Sequence, residues 1–125
     1  MPEVLIFPGT WKDPEWNRDF NRLPPAEKFS IQKSIEGLYE ALQQCRHPLQ
    51  DRNLKDWSPS EYKASPAQAK LGQWVKYRIG DREARGRVVI IFMASDDVIY
   101  LVGRTLTHDY PHLRELVSRF RVPKR

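Results

Sequence analysis

The spacing of apolar residues along this chain switches between alternation and helical periodicity, and each switch marks an element. Val4-Leu5-Ile6-Phe7 is a short apolar run closed by Pro8-Gly9, which predicts a strand and a turn. Asp13 before Pro14 has the chemistry of a helix N-cap followed by a first-turn proline. Trp16, Phe20 and Leu23 then recur at helical spacing until Pro24-Pro25 ends that helix. A second helix is predicted from Pro25-Ala26 to about Gln44, because Ile31, Ile35, Leu38, Tyr39 and Leu42 form one stripe opposite Lys28, Lys33 and Glu40. The two helices make a hairpin.

Between Arg46 and Gly72 the periodicity fades under Pro48, Pro59 and Pro66, and Leu49, Leu54 and Trp57 are the candidate anchors to a core. Alternation returns from Gln73 to Ile79, with Trp74, Lys76 and Arg78 on one face and Val75, Tyr77 and Ile79 on the other. Gly80 to Gly86 reads as a charged loop. Arg87 to Phe92 is followed by the turn Ala94-Ser95-Asp96-Asp97 and then by Val98 to Arg104, which predicts a β-hairpin with neither strand solvated on a whole face. A last helix from Pro111 to about Phe120 puts Leu113, Leu116, Val117 and Phe120 on one side, ahead of a basic, solvated tail at 121–125. This order predicts a single α+β domain over residues 1–125, an N-terminal strand and helix hairpin packed on a mostly antiparallel sheet, with a C-terminal helix. The hairpin is expected to cover one face of the sheet and leave the opposite, concave face free for binding.

Composition narrows the classes of function. A chain of 125 residues with 40% hydrophobic character suffices for one core. The 21 Lys and Arg against 16 Asp and Glu leave a net charge of +5, which favours nucleic acid, a phosphorylated ligand or an acidic peptide as partner. No apolar run approaches the roughly 20 residues that cross a bilayer, and Met1 to Phe7 has neither a basic start nor a long apolar stretch. A cytoplasmic chain with no membrane partner is therefore expected. Cys45 has no second cysteine to pair with and is read as a packing residue. His47, His108 and His112 are scattered, so neither a metal nor a cofactor is expected.

The candidate chemistry lies in the second half. Lys76, Arg78, Arg87 and Arg104 fall in three strand-like runs that end in Thr107-His108-Asp109-Tyr110. Cations on neighbouring strands beside a histidine and a tyrosine suit the handling of a phosphodiester. Taken separately, each has a plainer reading: strand cations are commonly solvated, and Asp109 before Tyr110-Pro111 has the form of a helix cap.

These pieces together resemble a known family, the RelE/ParE-like toxins of bacterial type II toxin–antitoxin systems. The stretch Glu15-Trp16-Asn17-Arg18-Asp19-Phe20-Asn21-Arg22-Leu23-Pro24 is similar to that family's first helix. Val75-Lys76-Tyr77-Arg78-Ile79 resembles its strand of alternating basic residues, and Gly86-Arg87-Val88-Val89 the Arg-bearing start of its central strand. Gly103-Arg104 followed by His108-Asp109-Tyr110 is similar to its closing Arg and aromatic motif.

The resemblance implies a RelE-like fold and a toxin that cuts messenger RNA on the ribosome, with a cognate antitoxin as partner in a hetero-oligomer. Cleavage of that kind is metal-independent: the 2′-oxygen attacks its own 3′-phosphate, a base takes its proton, an acid protonates the leaving 5′-oxygen, and cations hold the phosphorane charge. Arg87 and Arg104 are the expected clamp, since a guanidinium fork holds two phosphate oxygens. His108 has the unperturbed pKa suited to acid–base work, and Tyr110 to stacking on a base or orienting the 2′-hydroxyl. Lys76, Arg78, Lys55 and Arg85 are the expected substrate-binding cations. Two departures stand out: the connection from Trp57 to Gly72 is longer than the family pattern, and the carboxylate some members use as a base has only Asp56 and Glu61 as loose counterparts. Other members poison DNA gyrase and lack the ribonuclease residues, so the alternative is a non-catalytic or gyrase-poisoning ParE-like binding module.

Overall fold

The computed structural model describes residues 3–44, 54–56, 65–79, 86–93, 98–107 and 109–123. Their elements run β1 (Glu3–Ile6), α1 (Pro8–Trp11), α2 (Pro14–Asn21), α3 (Pro25–Gln44), β2 (Leu54–Asp56), α4 (Pro66–Lys70), β3 (Gln73–Ile79), β4 (Gly86–Met93), β5 (Val98–Thr105) and α5 (Tyr110–Arg119). The strands form one five-stranded sheet in the order β1-β5-β4-β3-β2. All neighbours are antiparallel except β1, which lies parallel to β5. The α+β architecture is the one expected, with its N-terminal strand, helix hairpin and C-terminal helix.

The near-continuous apolar runs of β4 and β5 are explained by their place at the middle of the sheet with a layer on each side. Phe92 in β4 and Arg104 in β5 are half-buried, and every other residue of the two strands is buried. On one face, Trp16, Ile31, Leu38 and Leu42 of the hairpin pack on Val75, Ile79, Val88, Ile90, Ile99 and Leu101. On the other, Leu113, Val117 and Phe120 of α5 and its C-terminal end pack on Trp74, Val89, Ile91, Met93, Tyr100 and Val102. The opposite face, expected to be free and concave, is therefore covered. The stripe Leu113, Leu116, Val117, Phe120 needs an apolar surface, and that face of β4 and β5 supplies it.

Local chemistry fixes the helix ends. Asp13 accepts from the backbone N–H of Glu15 at the start of α2, and Asp109 accepts from that of His112 at the start of α5. The C-terminal end of α5 is held by buried Gln68, whose side-chain amide donates to the carbonyls of Val117 and Phe120 at 2.6 and 3.0 Å. Trp74 Nε1 in turn donates to the Gln68 carbonyl, so α4 joins β3 to the last helix. Short α1, β2 and α4 lie where the sequence predicts only a turn or shows no clear period.

One irregularity matters for function. Val89 pairs with Gly103 while Ile90 pairs with Leu101, which leaves Val102 as the extra residue of a β-bulge. The Thr10 hydroxyl donates to the Val102 carbonyl. Beyond the bulge the alternation of β5 is inverted: Gly103 lies under α5, where a Cβ would come within 2.7 Å of Leu116 Cδ1.

Candidate nucleic-acid interface

Antiparallel register decides which cations share a face. Arg78 of β3 pairs with Arg87 of β4, and Arg87 with Thr105 of β5. Lys76 pairs with Val89, which packs beneath α5, so Lys76, Arg78 and Arg87 all belong to the α5 face of the sheet. The backbone of Lys55 on β2 stands in register with that of Lys76 on β3. Tyr110 opens α5 beside this row, its ring centroid 5.4 Å from Lys76 Nζ. Arg78 is exposed and Lys76 half-buried, whereas Arg87 lies low in the sheet, its Nη1 donating to the Gly86 carbonyl at 2.9 Å. The Arg78–Arg87 pair thus sets two guanidinium side chains directly opposite each other on the α5 face of the sheet.

Arg104 is not part of this group. The bulge turns it to the hairpin face, where its guanidinium carbon sits 4.2 Å from the ring centroid of Trp11 and 4.4 Å from that of Trp16. A guanidinium between two indoles is a cation–π sandwich. Burial lowers its pKa to about 10, against the opposing pull of Asp13. The expected clamp of Arg87 with Arg104 is thus divided between the two faces of the sheet, because one extra residue at Val102 reverses the alternation of β5 ahead of Arg104. His108 and Arg85 lie outside the described residues, as do the side chain of Lys55, the turn at 94–97 and the loop at 80–85, together with Cys45, His47, Trp57 and Glu61.

A second group of titratable side chains had no sequence signal beyond the Asp13 cap. His112 Nε2 lies 2.5 Å from Asp13 Oδ2, a contact spanning 99 positions, and its Nδ1 lies 3.5 Å from Glu15 Oε2 and 3.9 Å from Glu115 Oε2. Burial disfavours the imidazolium, but the Asp13 hydrogen bond and the charges of Asp13, Glu15 and Asp109 outweigh it and hold the pKa above its ordinary value.

Fold and surface together define an α+β protein with a cationic row on the α5 face of its sheet and a histidine–carboxylate cluster where α2 meets α5. Set against known proteins, the chain matches no family model, no curated protein and no solved structure.

Proposed function

We propose that the protein is an RNA-directed toxin of the RelE/ParE kind, an endoribonuclease that cuts messenger RNA at the ribosome by 2′-hydroxyl attack and is neutralised by a cognate antitoxin. The carrying observation is the Arg78–Arg87 cross-strand pair, flanked by Lys76 and Tyr110 on the same face of the sheet. Arg78, exposed, can hold two non-bridging oxygens of one phosphate in its guanidinium fork, with Arg87, buried directly opposite it on β4, adding positive charge beneath. Tyr110 offers a ring for the neighbouring base. His108, two positions ahead of Tyr110 in the chain, supplies the proton-transfer group. Arg104 has no part in this clamp. The order of elements and the short motifs of the sequence supply the family resemblance, and the antitoxin would be an acidic segment that folds over the cationic row.

One observation favours a second reading. With Arg104 held between Trp11 and Trp16, the row retains cations for binding but loses a guanidinium expected to stabilise the phosphorane. A non-cutting relative, either a gyrase-poisoning ParE-like module or one that holds RNA or a partner, would need only the row.

Expression without a partner, followed by analysis of cellular messages and of a purified RNA incubated with protein and ribosomes, separates the two. Growth arrest with fragments ending in a 2′,3′-cyclic phosphate is the expected result. Saturable, salt-sensitive RNA binding with no such product would give the case to the binding module. Normal growth at good yield, with no RNA bound, would overturn both.

A further inference from the structure

We propose that His112, Glu15 and Glu115 form a binding site for a divalent transition-metal ion, zinc foremost, which ties α5 to α2. The inference is independent of the RNA reading. Metal-bound histidines characteristically donate their other ring N–H to a carboxylate, which fixes the tautomer and raises the basicity of the ligating nitrogen. His112 has that arrangement. Its Nε2 faces Asp13 Oδ2 at 2.5 Å, and Asp13 is itself buried and held by its second oxygen to the Glu15 backbone N–H at 3.3 Å. An acceptor fixed at Nε2 leaves Nδ1 as the lone-pair nitrogen, and that nitrogen is turned toward Glu15 and Glu115.

The distances suit one ion. A nitrogen and an oxygen each bound at roughly 2.0–2.2 Å to a tetrahedral centre lie about 3.4 Å apart. His112 Nδ1 is 3.5 Å from Glu15 Oε2 and 3.9 Å from Glu115 Oε2, so the first needs no movement and the second a small side-chain adjustment. Both glutamates are more than half exposed and can adjust without disturbing the core. Asp13, Glu15 and His112 also offer donor atoms that all lie within 4.8 Å of one another. The cleft beside them, which Asp109 and Arg104 also line, holds about 20 Å³. That is space for roughly one water, enough for an ion's remaining ligand. One nitrogen and two carboxylate oxygens, with an open position, make a set suited to zinc. The ligands come from both helices: Glu15 is in the first turn of α2, and His112 and Glu115 stand one turn apart on α5.

The test begins with full-length protein stripped by chelator and titrated with zinc chloride by calorimetry, with melting followed in parallel. One ion per chain, with a micromolar or tighter Kd and a raised Tm, is expected. Glu15→Gln and Glu115→Gln, both at exposed positions, keep the fold and each weaken uptake by about tenfold or more, while Asp13→Asn weakens it by about 10–100-fold through His112. These variants keep the test decisive if His112→Ala fails to fold. Failure to saturate at about 100 µM zinc, or equal uptake by the double variant Glu15→Gln/Glu115→Gln, would overturn the site. So would a thiolate charge-transfer band with cobalt(II), which would assign the metal to Cys45 instead. RNA cleavage, assayed in chelator, stands or falls separately.

Discussion

At the scale of single residues, Arg104 is the instructive case. Its guanidinium is stacked between Trp11 and Trp16 on the hairpin face, so its work is to fill and bind together the N-terminal segments. Arg104→Ala should cost about 2 kcal/mol through the lost cation–π contacts and stem packing, while leaving RNA affinity within about twofold. Denaturant unfolding and a binding titration on the same protein check this; intact stability with abolished binding would return Arg104 to the clamp. The sequence displayed every cation of the row correctly as to strand and, for Lys76 and Arg78, as to face. It did not display the face of Arg104, because strict alternation is the only rule available from sequence and one bulged residue breaks it. Nor could it display His112 with Asp13, whose meeting depends on where two helices dock.

At the scale of elements, long periodic segments were legible and short ones were not. The stripe of Ile31, Ile35, Leu38 and Leu42 defined α3 from its start at Pro25 to its end at Gln44, and the alternation of β3 gave both its bounds and its two faces. By contrast, α4 spans only Pro66–Lys70, too short for a period to declare itself, and its role rests on tertiary bonds of Gln68. Gln68→Leu would leave the carbonyls of Val117 and Phe120 without their side-chain donor. The expected loss is about 1–3 kcal/mol, with faster amide hydrogen exchange at the end of α5. The bulge element can be probed in the same way. Gly103→Ala sets a methyl 3.2 Å from Leu116 Cβ as well as against its Cδ1, so the buried Leu116 side chain must shift and stability should fall by about 1–3 kcal/mol in denaturant melts. The α2–α5 junction has a sign that depends on pH. With metal removed by chelator, the raised pKa of His112 means the folded state binds that proton more tightly than the unfolded chain. Its contribution is fully present below the ordinary value near 6.5 and fades as pH rises through the raised one. Melting temperatures of wild type and His112→Asn should therefore converge on the alkaline side of that window, and a gap that widens there would refute the protonated tie.

At the scale of the whole molecule, the question is whether its charge of +5 acts as a diffuse field or through one surface. Both faces of the central strands are covered, so the surface open to the proposed RNA contact is the margin of the α5 face at β3 and the start of β4, where Lys76 and Arg78 lie with Arg87 buried beside them. If Lys76 and Arg78 each neutralise one phosphate of a single strand, log K should fall against log salt with a slope of about −1.4, given roughly −0.7 per phosphate. Arg78→Ala then reduces that slope by about 0.7 and weakens binding at every sequence alike. Arg22→Ala is the matched control: it removes the same unit of charge at the C-cap of α2, on the hairpin side of the sheet. It should leave slope and affinity almost unchanged. Equal effects from the two substitutions would mean that net charge alone draws the RNA, and the register of arginines across β3 and β4 would then have no special claim to be the binding surface.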